Sequence, residues 1–96
     1  MAAYFISDAS VKDSAALEIF RARAATSIAH YGGRYLVRAG YIEPVEGTWR
    51  PDAIIVIEFP DLERARTWYR SAEYAAALAV RDDAISRDLI LVEGFN

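Results

Sequence analysis

In "HYGGRYLVRAG", residues 30–40, two arginines four apart bracket an apolar stretch, and such groups ask for an anion when they leave water. Strand geometry over residues 34–39 sets Arg34 and Arg38 on the same side, about 13 Å apart, with Leu36 between them. Arg38, deeper in the strand, is the candidate anchor for a ligand's acidic group. The competing reading is an ion pair with Glu58, Glu93 or Asp8, which sit near the ends of neighbouring strands. Arg34, beside the turn, is expected in solvent or on a helix C-terminal carbonyl. Glu58 interrupts the most apolar strand; buried there, it either pairs with Arg38 or has a raised pKa suited to proton transfer. His30 is the single histidine, so it is either a general base at a cleft mouth or a last-turn residue favoured by the helix dipole. Trp49 lies in the loop "EGTWRP", as a lid over a ligand or a plug that pins the loop. Tyr69 and Tyr74 fall on helical faces and belong to the core, or turn their hydroxyls into a pocket. Arg81 is a solvated helix end or closes on a carboxylate across a dimer.

Several chemistries are excluded or disfavoured. With no cysteine there is no thiolate ligand, thiol nucleophile or disulfide, and one histidine leaves too few donors for a metal or haem site to be expected. Gly32-Gly33 follows a helical pattern, whereas a phosphate-binding glycine loop precedes a helix, so no nucleotide or other cofactor is expected. A net charge of -3 with scattered Lys and Arg offers no basic stripe for nucleic acid. No apolar run approaches membrane-spanning length, and the start "MAAYFISDAS" lacks the features of a signal peptide. The expectation is a cytoplasmic protein.

The elements that must hold these residues follow from periodicity. Residues 3–8 are short, aromatic and β-branched, and read as a first strand. Asp13 or Ser14 caps a helix over residues 14–31, in which Leu17, Phe20, Ala24, Ile28 and Tyr31 make one apolar stripe and Arg21 and Arg23 lie off it. The second strand, residues 34–39, continues past a Gly40 bulge to Glu43 in one variant of the reading. A loop to Asp52 precedes a third strand, residues 53–59, which Pro60 stops. Asp61 caps a helix with Leu62, Ala65, Trp68 and Tyr69 inward, and Ser71 caps another over residues 72–81. A polar connector, residues 82–87, leads to a last strand over 88–95. The order is βαββαβ: an α+β, ferredoxin-like arrangement with a four-stranded antiparallel sheet and helices on one face, in a single domain spanning residues 1–96. Both strand parities are apolar: Phe5, Tyr35, Val37, Ile55 and Ile57 on one, Tyr4, Ile6, Leu36, Ile54 and Val56 on the other. A face that large and apolar needs a cover, and the expected cover is a second copy, with the loop after Gly40 as the alternative.

The segments "YGGRYLVRAG", "VEGTWRPDAIIVIEFPDLERARTWYRSAEYAAAL" and "LILVEG" together resemble the family known as domain of unknown function 1330, across nearly the whole chain. The resemblance implies membership of the dimeric α/β-barrel superfamily, with two sheets enclosing a barrel-like interior in a homodimer. It implies no reaction: the wider superfamily includes cofactor-free monooxygenases, isomerases and haem proteins. The functional expectation is a small-molecule-binding protein or cofactor-independent enzyme for an acidic or aromatic ligand. In it Arg38, Arg34, Trp49, Tyr69, Tyr74 and Arg81 bind, and His30 or Glu58 moves a proton. The alternative is a non-catalytic structural or regulatory dimer module whose polar residues pair internally.

Overall fold

Each helix begins where a short polar side chain takes up free backbone N–H groups. In the computed structural model, which describes residues 1–95, Asp13 Oδ2 accepts from Ala16 N at 2.8 Å and opens α1 (Ser14–His30). Asp61 Oδ1 accepts from Arg64 N at 2.7 Å and opens α2 (Leu62–Tyr69). Ser71 Oγ accepts from Tyr74 N at 3.1 Å and opens α3 (Ala72–Ala84). After α1 the chain reverses at Gly32, whose φ of +79° is left-handed, and passes Phe59 so closely that a Cβ on Gly33 would lie 2.6 Å from its ring. The glycine pair thus serves a turn and a close approach.

Four strands, β1 (Ala3–Val11), β2 (Arg34–Arg38), β3 (Ile54–Phe59) and β4 (Ile85–Glu93), form one antiparallel sheet in the order β2-β3-β1-β4. This is the ferredoxin-like βαββαβ order, with its second helix broken into α2 and α3 at Arg70-Ser71. The helices cover one face. There Phe5, Ile57 and Phe59 meet Phe20, Ala24 and Ile28 of α1 and the rings of Trp68 and Tyr74, whose centroids are 4.0 Å apart. Buried Trp68 keeps its polar end satisfied: its Nε1 donates to Ser27 Oγ at 3.0 Å, and Ser27 Oγ donates to the Ala24 carbonyl at 2.8 Å.

Several features differ from the sequence reading: β1 runs on to Val11, past residue 8, and β4 ends at Glu93. β2 ends at Arg38, where Ala39 turns left-handed at φ 56°, so there is no extension to Glu43. α3 runs on to Ala84 and β4 starts at Ile85, so the polar stretch 82–87 is divided between helix and strand; Asp82 and Asp83 are tolerated because their side of the helix faces solvent. The bulge falls at Leu36, not Gly40: Tyr35 pairs with Ile57, but Val37 pairs with Val56 and Arg38 with Ile55.

One extra residue shifts every later side chain to the other face. Val37 therefore joins Tyr4, Ile6, Ile54 and Val56 on the face away from the helices, and Arg34 and Arg38 lie on opposite faces, not on one side. That outer face remains uncovered: Ile90 is 57% and Val92 41% exposed. The 40–53 loop does not shield it, since Tyr41 and Val45 point almost wholly to solvent.

Candidate functional site

Between the helix-covered side of the sheet and α1 lies a cavity of about 60 Å³. Leu17, Phe20 and Ile28 of α1, Ile55 and Ile57 of β3, and Trp68 make its apolar walls. The polar groups are few and of one sign. Arg38 reaches it because of the Leu36 bulge and holds its guanidinium 5.2 Å over the Tyr35 ring, a cation–π distance. Arg87 enters from β4, donates to Tyr74 Oη at 2.9 Å and lies 5.7 Å over the Phe20 ring. Arg21 enters from α1. None of these three has a carboxylate within 4.0 Å among the described residues; the ion pairs there are Arg34–Glu58 and Arg81–Asp82. Ser7, only 4% exposed, lines the same cavity.

Burial pushes the Tyr35 phenol above its ordinary value, partly offset by Arg38 and, further down, Arg21 and Arg87. Burial likewise raises Tyr74, against the pull of Arg87's charge and hydrogen bond. Both therefore stay neutral near pH 7 and serve as hydrogen-bonding walls, not bases. An apolar slot ringed by unpaired guanidinium groups and neutral phenols is suited to hold an acid by its carboxylate.

The expected residues are divided among several places. Arg38 and Tyr74 line the cavity. Tyr69 and Arg81 line a neighbouring hollow that shares Ile85 and Arg87 with it. Glu58 and Arg34 pair with each other at 2.8 Å on the outer face, so Arg38 does not have Glu58 as partner. His30, exposed at the end of α1, stands edge-on to Tyr31 at 5.1 Å and borders shallow hollows beside Glu73 and Asp61, not the cavity. Trp49 is 65% exposed, and its Nε1 donates to Asp8 Oδ2 at 3.2 Å, pinning the loop to the end of the outer face. Asp8 also accepts from Asp52 N at 3.1 Å.

Sequence reasoning missed Ser7, Arg21, Tyr35 and Arg87 as site residues. The alternation Ile85-Arg87-Leu89-Leu91 carries Arg87 inward, a signal hidden once that stretch is taken as a connector. Ser7 sits in the matching alternation Ala3-Phe5-Ser7-Ala9. Arg21 borders the helical stripe, four residues after Leu17. Among the described residues no cluster of three or more His, Asp or Glu side chains could hold a metal.

The family model described as domain of unknown function (DUF1330) matches residues 2–95. Among curated proteins, none matches the sequence. Among solved structures, a protein of unknown function from Rhodopseudomonas palustris is 13% identical with a TM-score of 0.80, over 99% of this chain and 83% of that one. A cofactor-independent oxygenase from Streptomyces nogalater is 15% identical with a TM-score of 0.68, over 99% and 94%. A dimeric protein of unknown function and ferredoxin-like fold from Bacteroides fragilis is 13% identical with a TM-score of 0.56, over 97% and 96%. At these identities the likeness is one of fold.

Proposed function

Starting from a chain that belongs to the DUF1330 family, we propose a homodimeric protein that binds a small organic acid in the cavity between sheet and helices. One observation carries this reading: three guanidinium groups, Arg21, Arg38 and Arg87, surround an apolar cavity without a carboxylate partner among the described residues. Arg38 anchors the carboxylate, Tyr35 and Tyr74 flank it, and Trp68 and Phe20 supply apolar walls around it. In a ligand-free module Arg38, an exposed residue, would be left to water and the Tyr35 ring, since Glu58 is taken by Arg34. Whether bound acid is also turned over depends on a proton carrier, and His30 and Glu58 lie outside the cavity.

Dimerisation covers the outer face. Tyr4, Ile6, Val37, Val56 and Ile90 make a continuous apolar surface that neither the helices nor the loop shields, and a second sheet packed on it removes that surface from water. The dimeric Bacteroides fragilis protein of the same fold supports this. The ligand is a small molecule and not nucleic acid, because the net charge is -3 and the unpaired cations line a cleft too narrow for a strand. No described helix is long and apolar enough to cross a membrane, and a chain without cysteine suits the cytoplasm.

Native mass spectrometry of the gently purified protein tests both parts. A dimer carrying a discrete adduct, absent from Arg38→Ala, is the expected result and gives the ligand's mass. A wild-type protein that carries no adduct and binds no member of a panel of aliphatic and aromatic carboxylates at millimolar concentration overturns the binding reading; a monomer at micromolar concentration overturns the dimer.

A further inference from the structure

The inner cavity has a neighbour. Where the C-terminal end of α3 meets β4, a wider hollow of about 370 Å³ is lined by Lys12, Tyr69, Arg81, Asp82 and Ser86, and it shares Ile85 and Arg87 with the cavity. Counted together, the two spaces present five cations, Lys12, Arg21, Arg38, Arg81 and Arg87, against a single carboxylate, Asp82. The chain as a whole has eleven Lys and Arg against fourteen Asp and Glu, so nearly half its cations and almost none of its acids face this cleft. Asp82 does not balance them: Arg81 Nε meets its carboxylate at 3.2 Å, while Lys12 Nζ donates to its backbone carbonyl at 2.6 Å. Positive potential is therefore concentrated at one place on an acidic protein.

The two lobes are also well separated. Tyr74, in the inner lobe, and Arg81, in the outer, are seven residues apart on α3, two turns or roughly 10 Å of helix rise. A compact anion meets one end only. The inner lobe, at about 60 Å³, has room on the order of two water molecules, enough for a carboxylate but not for a ring. At that end Ser7, 4% exposed, adds a hydroxyl to the lining.

We infer that the two spaces are one cleft for an elongated diacid. One carboxylate enters the inner lobe at Arg38, Arg21 and Ser7, the spacer passes Arg87 and Ile85, and the second acidic group lies with Arg81 and Lys12 in the outer lobe. This rests on the acid-binding reading above and goes beyond it by giving the ligand's charge and shape. A linear α,ω-dicarboxylate series, from glutarate to sebacate, is titrated calorimetrically at low salt beside monocarboxylates of matching length, with wild type, Arg38→Gln and Arg81→Gln, each checked for fold by circular dichroism. The expected result is a diacid of best-fitting length that binds roughly tenfold or more tighter than its monoacid. Arg81→Gln should bring that diacid down to the monoacid's level, and Arg38→Gln should weaken both. If monoacids bind through Arg38 and no diacid binds tighter, the diacid inference is overturned while the acid-binding reading stands. If neither class binds, both are overturned.

Discussion

Ser27 shows how a small residue can govern a large one. It is 1% exposed, and its hydroxyl is the acceptor for the Trp68 indole in the middle of the aromatic cluster. Ser27→Ala leaves that N–H buried and unpaired and should cost about 1–3 kcal/mol, measured as a shift in the urea unfolding midpoint. The buried phenols predict a second effect. Tyr35 and Tyr74 hold their protons more tightly in the folded than in the unfolded chain. Their contribution is thus fully present below the ordinary tyrosine value of 10.0 and is lost as pH rises from there through the folded values. The unfolding midpoint should fall as pH rises above 10.0, less steeply in Tyr74→Phe; a flat profile would contradict the assigned burial. None of this was legible in residue types alone: serine at position 27 reads as an ordinary helix residue until the indole is placed beside it.

At the scale of elements, the Leu36 bulge decides the site. In a regular strand Arg38 would share the outer face with Arg34 and Glu58; with two residues opposite one, it faces Ile55 and the cavity instead. Deleting Leu36 is a discriminating test. It leaves a regular ladder in which Tyr35 and Arg38 stay on the helix side, two residues apart, so acid binding that depends on Arg38 should survive, read by calorimetry. Were the native strand regular, the same deletion would move Arg38 to the other face and change its role. Capping residues, by contrast, were legible one by one, because Asp13, Asp61 and Ser71 act on N–H groups only three residues away. The bulge was not, because it depends on how β2 and β3 fit across the 40–53 loop, a non-local match.

At the scale of the molecule, the sheet has two apolar faces and one layer of helices. Ile90→Glu, at a position 57% exposed and paired with Ile6 at the centre of the outer face, should leave the protomer folded and shift it to a monomer in sedimentation analysis. A variant that remains a tight dimer would place the interface elsewhere. The same two-faced sheet separates the chemistry: the cationic cleft lies under the helices, while the Arg34–Glu58 pair and the Trp49–Asp8 contact belong to the outer face.

The sequence by itself determined the βαββαβ order, the helix starts, the turn at Gly32-Gly33 and the surplus apolar face, because each is written in short-range periodicity, capping or glycine chemistry. It also singled out Arg38 as a candidate anchor for an anion, with an ion pair to Glu58, Glu93 or Asp8 as the alternative. Only the tertiary structure decided its neighbours: Glu58 turned to Arg34, His30 to the far end of α1 and Trp49 to the outer face, while Arg21, Arg87 and Ser7 came in from three other elements. The reason is that a side chain's face is set by strand register and helix docking, and one extra residue in a ladder reverses it without changing the local pattern.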